Sequence, residues 1–258
     1  MFKTVRIIIL LFVLVAVAWG AWRTQVNSVK WKYTLPVNIY PINADGRAAT
    51  QAYIESLTVD DFKPLEAFML AEAKRYGRES FASVEVRLAP SIDSFPPLAP
   101  LRGGPLQVAS WSLKMRWWAW HHGDTTGPGP QVKMYLLYFD PTQRQRLDHS
   151  TALQKGLIGL AQVFATPAMA GPNNIIIAHE FLHTLGATDK YDLSTNQPRF
   201  PDGYADPNKE PRFPQDFAEI MGGRTPLSPT QSEQPAHLKR ALIGEETARE
   251  INWLPPVP

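Results

Sequence analysis

The stretch His179-Glu180-Phe181-Leu182-His183-Thr184-Leu185-Gly186-Ala187-Thr188-Asp189 decides how this chain of 258 residues is read. Apolar spacing predicts a short helix over 175–185, and Gly186 lets the backbone turn sharply at its end. On that helix His179 and His183 stand at i and i+4. Both imidazoles then share one face, a turn apart, where two ring nitrogens can hold one zinc ion. Glu180 follows the first histidine directly, so its carboxylate can take a proton from an attacking water as general base. Ile177 and Phe181, a second i, i+4 pair, point the other way and can fix the helix to a core. Beyond the glycine turn, Asp189 can swing back as a third, oxygen ligand. The alternatives are a glutamate recruited from later in the chain, with Glu210 and Glu219 as the candidates, or a satisfied core histidine pair without metal.

The full string H-E-x-x-H-x-x-G-x-x-D resembles the metzincin zinc signature, with aspartate replacing the usual third histidine. Ala218-Glu219-Ile220-Met221-Gly222, with Met221 38 residues after His183, resembles the methionine turn of that clan. Asp189-Lys190-Tyr191 is similar to the D-x-Y of the snapalysin-like and immune-inhibitor-A-like bacterial peptidases. The resemblance covers about residues 173–223. It implies an α+β, zincin-like fold with a twisted, mostly parallel sheet and an active-site helix. It further implies His179, His183 and Asp189 as ligands of one zinc ion, Glu180 as base and Met221 as packing beneath the metal. The expected activity is zinc-dependent endopeptidase hydrolysis of peptide or protein substrates. Two rivals are an amidase acting on cell-wall peptides and a catalytically silent, zinc-stabilised binding module. Intact Glu180 counts against the silent module, because a structural zinc site has no use for a general base.

Other residues are weaker candidates. Tyr191 and Tyr204 could donate to a tetrahedral oxyanion, although packing explains each as well. Asp192, with Asp202, Asp206, Asp216, Asn196 and Asn208, makes the 192–216 loop rich in oxygen, so calcium is a second candidate ion. The spacing matches no EF-hand, and a solvated loop accounts for it. His121, His122 and His149 read as ordinary polar residues. Trp111–Trp120 (WSLKMRWWAW) could line a substrate cleft or touch a membrane, but reads most simply as a half-buried strand.

Ile7–Trp22 (IIILLFVLVAVAWGAW) has no charged or hydroxyl side chain. As a helix it would span about 24 Å, a little less than a bilayer's hydrocarbon core. Arg6 and Arg23 could snorkel, and Trp19 and Trp22 suit the interface. The segment is read as a signal anchor, a single transmembrane helix that leaves the catalytic domain outside the cytoplasm at the cell membrane. The alternatives are a signal peptide cut after Ala16-Val17-Ala18, giving a secreted protein, and a core helix. The division expected is 1–23 anchor or signal peptide, 24–35 juxtamembrane linker, and 36–258 catalytic domain.

Composition narrows the rest. Removing Lys3, Arg6 and Arg23 turns the net charge of +2 into −1 for the remainder, which leaves no basic field for nucleic acid. The absence of cysteine excludes disulfides, thiolate metal sites and cysteine nucleophiles. Along the chain, Val37–Ile42 reads as a strand, with Pro41 marking an edge or a strand end. Thr50–Leu57 and Asp60–Tyr76 read as helices, and Ser83–Leu88, Val108–Trp120 and Val132–Phe139 as strands. Leu153–Phe164 is ambiguous, 193–236 is a long loop with eight prolines, and Gly244–Trp253 ends in a helical turn.

Overall fold

A computed structural model describes residues 6, 12, 30–31, 34–78, 84–100, 104–123, 131–144, 147, 151–153 and 157–256. The proposed anchor over 7–22 lies outside these, apart from Phe12. Among the described residues no helix is long and apolar enough to cross a membrane.

Five strands form one mixed sheet, ordered β2-β1-β3-β5-β4. They are β1 (Leu35–Asn43), β2 (Val84–Leu88), β3 (Val132–Phe139), β4 (Thr151–Leu153) and β5 (Ile158–Phe164). All neighbours run parallel except β4, which pairs antiparallel with β5 at the edge. Central parallel strands are covered on both faces, so they read as continuous apolar runs. In β3, Val132, Met134, Leu136 and Tyr138 face one cluster, and Tyr135 and Leu137 face another.

The first cluster collects α1 (Ala48–Ser56), α2 (Lys63–Arg75), α4 (Ala170–Leu185) and α5 (Glu245–Glu250) against the sheet. Trp253 is fully buried there, its ring 5.7 Å from Trp31 and 6.0 Å from Tyr76. Trp31 also donates its indole N–H to the Ile251 carbonyl at 2.7 Å. Although it falls in the stretch read as linker, Trp31 therefore packs with the domain. The opposite face is covered by α3 (Pro105–His122), through Trp111, Met115, Trp118 and Ala119.

Helix α3 corrects the strand expected at Val108–Trp120. Its inward residues recur at spacings of four, three and one, which only a helix brings to one side. Two other expectations resolve by topology. The ambiguous Leu153–Phe164 becomes two strands, with β5 inside the sheet. Pro41 lies in β1, between β2 and β3, and so is not on an edge strand. Nor does it end β1, which stays paired with β3 as far as Asn43↔Tyr138; a proline is accommodated there because β2 pairs with β1 only as far as Ile39↔Leu88, so the N–H that Pro41 lacks falls beyond that ladder.

Candidate metal centre

Helix α4 follows β5 after a short 3-10 turn (Pro167–Met169), and Asn173 joins the two. Its side chain accepts from the Phe164 N–H at 3.1 Å and donates to the Phe164 carbonyl at 2.8 Å. Ile177, Ala178, Phe181, Leu182 and Leu185 are buried in the core, as the spacing requires. The helix stops at Gly186, whose φ of +117° is strained for any side chain, with its N–H bonded to the Leu182 and His183 carbonyls. That turn sends the chain back across the exposed end of the histidine pair.

Three side chains converge there. His179 Nε2 and His183 Nε2 each lie 3.1 Å from the same oxygen, Oδ1 of Asp189. Each outer nitrogen meets a backbone carbonyl, His179 Nδ1 that of Ile220 at 2.9 Å and His183 Nδ1 that of Ala187 at 2.7 Å. Carbonyls only accept, so both Nδ1 atoms carry hydrogen and a neutral ring turns its Nε2 lone pair inward. Two inward lone pairs and a carboxylate oxygen repel one another unless a proton or a metal cation lies among them. The donor set of two imidazoles and a carboxylate suits a divalent ion. Two ligands of a tetrahedral ion, each about 2.0–2.1 Å from it, stand about 3.3 Å apart. The observed N···O separations are close to that.

Glu180 completes the cluster. Ligand atoms of His179, Glu180 and His183 all lie within 4.8 Å of one another, a grouping that could hold a metal ion. Glu180 is 5% exposed, and its Oε2 is buried with no hydrogen-bond partner among the described residues. Access comes from the Asp189 side, where that side chain is 35% exposed against 13% and 10% for His179 and His183.

The electrostatics follow from burial and proximity. Burial alone would lower the His179 pKa, but its bond to Asp189 and the charges of Glu180 and Asp189 outweigh this and raise it to about 9. For Asp189 burial acts upward, and the two imidazoles outweigh it, so the carboxyl titrates well below its usual range. Glu180 is raised by burial, partly opposed by both histidines. Tyr191 is raised by burial first, then by the nearby carboxylates and its hydrogen bond to Asp189.

The second half of the site is the turn at 218–223. Strand β6 (Ala218–Glu219) pairs with β7 (Ala241–Leu242), and the chain then presents the Ile220 carbonyl to His179. Met221 is fully buried in the cluster that holds Ala178 and Leu182, and its carbonyl accepts from the Lys190 N–H at 2.9 Å. It packs; its neighbours do the positioning. Met221→Leu is accordingly expected to keep the metal content of the wild type and to lose under about 1.5 kcal/mol in urea unfolding. Complete metal loss would contradict a packing role.

Glu219 faces away from the histidines. It accepts from Gly222 N at 2.7 Å, Gly244 N at 3.0 Å and Thr247 Oγ1 at 2.7 Å, tying the turn to α5. Asp192 accepts from the Ser194 and Thr195 N–H groups at 2.8 and 3.1 Å and so closes a turn. Asp206 likewise caps Asn208, and Asp216 pairs with Lys209. Among the described residues these loop acids form no cluster that could hold a second ion. Tyr204 stacks edge-on with Phe200 and Phe213. Tyr191 lies at the site, its ring 6.1 Å from that of His179.

Backbone partners of the histidines leave no mark in a sequence, and neither does the brace behind Asp189. Lys190, buried, bonds Glu250 at 2.7 Å and the Thr188 carbonyl and hydroxyl, while Glu250 also accepts from the Thr188 N–H. This network ties the 188–190 loop to α5. Glu250→Ala would leave a buried ammonium without its anion, so a loss of about 3 kcal/mol in urea unfolding is expected. A loss below about 1 kcal/mol would place the pair among ordinary surface ion pairs.

No family model and no curated protein matches this sequence. Among solved structures the chain is similar to OgpA from Akkermansia muciniphila, at 10% identity and a TM-score of 0.37. The match covers 84% of this chain and 59% of that one, so the chain spans about three fifths of that protein's length. A likeness of this degree adds nothing to the reading of the site.

Proposed function

We propose that the chain is a zinc-dependent peptidase of metzincin-like type, with His179, His183 and Asp189 as ligands and Glu180 as general base. The observation that supports it best is the convergence of both Nε2 atoms on one Asp189 oxygen, beside a buried glutamate that has an unpartnered oxygen. Asp189 is preferred to Glu180 as third ligand because a single Oδ1 meets both imidazoles. When bound, zinc would supply Lewis acidity toward a peptide carbonyl and make water more acidic.

The remaining steps belong to the chain. Glu180 takes the proton of the attacking water and returns it to the leaving amine nitrogen. Its pKa, raised by burial, suits a group that must accept and then release a proton. The Ile220 and Ala187 carbonyls hold both rings in the tautomer that points Nε2 inward. Tyr191 stands beside the pair, its ring 6.1 Å from that of His179. The substrates are peptides or proteins met outside the cytoplasm. The uncharged, apolar sequence of residues 7–22 supports reading the catalytic domain, taken as 36–258, as anchored outside the cytoplasm.

Zinc stoichiometry measured beside turnover of casein and a peptide library tests this reading. One zinc per chain is expected, with turnover lost on chelation and restored by added zinc. Hydrolysis that survives complete metal removal would defeat the proposal. Zinc without turnover of any peptide would favour the silent module, and turnover of cell-wall cross-links alone would favour the amidase.

A further inference from the structure

Helix α3 has two apolar stripes, and the sheet covers only one. The other consists of Leu106, Leu113, Trp117 and Trp120, at i, i+7, i+11 and i+14, which align along one side of a helix. They are 86%, 65%, 64% and 68% exposed. The line is about 21 Å long. Lys114 and Arg116 flank it on either side, both exposed, and residues 94–123 contain no Asp or Glu. At its amino-terminal end the line meets an open groove of about 560 Å³ walled by Pro97, Leu98, Pro100, Leu106 and Trp111, with Lys114 beside them.

We propose that this outer face of α3 docks the domain flat on the surface of an anionic lipid bilayer. Trp117 and Trp120 would sit at headgroup depth, where an amphipathic ring is most favourable, and the leucines just below. Lys114 and Arg116 would meet lipid phosphates, and the lack of acids over 94–123 removes any repulsion from them. A second copy fits poorly, because a helix with cations and no anions would set like charges together. The apolar segment 7–22 on the same chain favours lipid as well, since a tether makes the second contact intramolecular. The proposal does not depend on the metal chemistry.

The chain has no cysteine, so Leu113→Cys provides one site for a polarity-sensitive fluorophore. Leu193→Cys, in a loop and 69% exposed, is the control. The full chain is reconstituted in phosphatidylcholine–phosphatidylglycerol vesicles whose acyl chains carry nitroxide quenchers. The label at 113 is expected to lose more than about half its emission, because the apolar face of such a helix sinks roughly 5–10 Å into the interface. The label at 193 should keep its emission. Phosphatidylcholine alone, or Lys114→Glu with Arg116→Glu, should restore most of the signal at 113. Absent quenching at 113, or equal quenching at both sites, overturns the proposal. So does energy transfer between chains labelled at 113 that persists as lipid is added in excess, because a second copy then covers the face.

Discussion

Glu180→Gln is expected to keep the metal and to lower peptide hydrolysis by at least about a hundredfold. The amide has nearly the shape of the carboxylate, so the buried position beside the two imidazoles stays filled. What disappears is the proton acceptor. In the wild type Oε2 is buried and has no hydrogen-bond partner among the described residues, so its lone pairs are open to a water's proton. Burial raises the Glu180 pKa, and the charges of the two histidines oppose that rise. A glutamine there cannot take part at any pH. Metal content measured beside turnover separates base from ligand. Unchanged turnover in Glu180→Gln would remove the mechanism, and metal loss in that variant would make Glu180 a ligand.

Asp189→Ala is expected to empty the site on mild chelation and to abolish activity with it. Oδ1 is the one atom that both Nε2 groups approach, and without it two imidazoles remain, which rarely hold zinc tightly. The fold should survive, because the side chain of Asp189 is over a third exposed and the loop around it is held by Lys190, Arg199 and Thr188. Glu219→Gln is the control. Its carboxylate is committed to Gly222, Gly244 and Thr247, so the variant should keep the metal. Full metal in Asp189→Ala together with an empty Glu219→Gln would overturn the ligand assignment while leaving a metal peptidase of another kind.

Helix α4 is legible in the amino-acid sequence because every local signal agrees. Its apolar residues follow the helical period, Gly186 ends it, and the histidines occupy the one remaining face. The parallel sheet leaves a weaker mark, the unbroken apolar run Met134–Phe139 in β3, which suits a strand covered on both sides, whereas Asn38 interrupts β1. Helix α3 reads wrongly as a strand because its two stripes are both apolar. With Trp117 and Trp120 outside and Trp111 and Trp118 inside, no polar face marks the period, and a run of tryptophans carries β propensity. What covers each stripe is a tertiary fact.

The same division holds at the site. Spacing along the chain places His179, Glu180 and His183 together, since positions i, i+1 and i+4 of a helix have fixed relations. No local rule says whether Asp189 turns toward them. That is decided by the αL turn at Gly186, by the Met221 carbonyl holding Lys190, and by the Lys190–Glu250 pair anchoring the loop to a helix 60 residues away. The ring orientations rest on the carbonyls of Ile220 and Ala187, groups that every residue carries. By itself, then, the sequence determined which chemistry is available. The tertiary structure decided where the third donor stands and which nitrogens face it, because those depend on backbone brought together from distant parts of the chain.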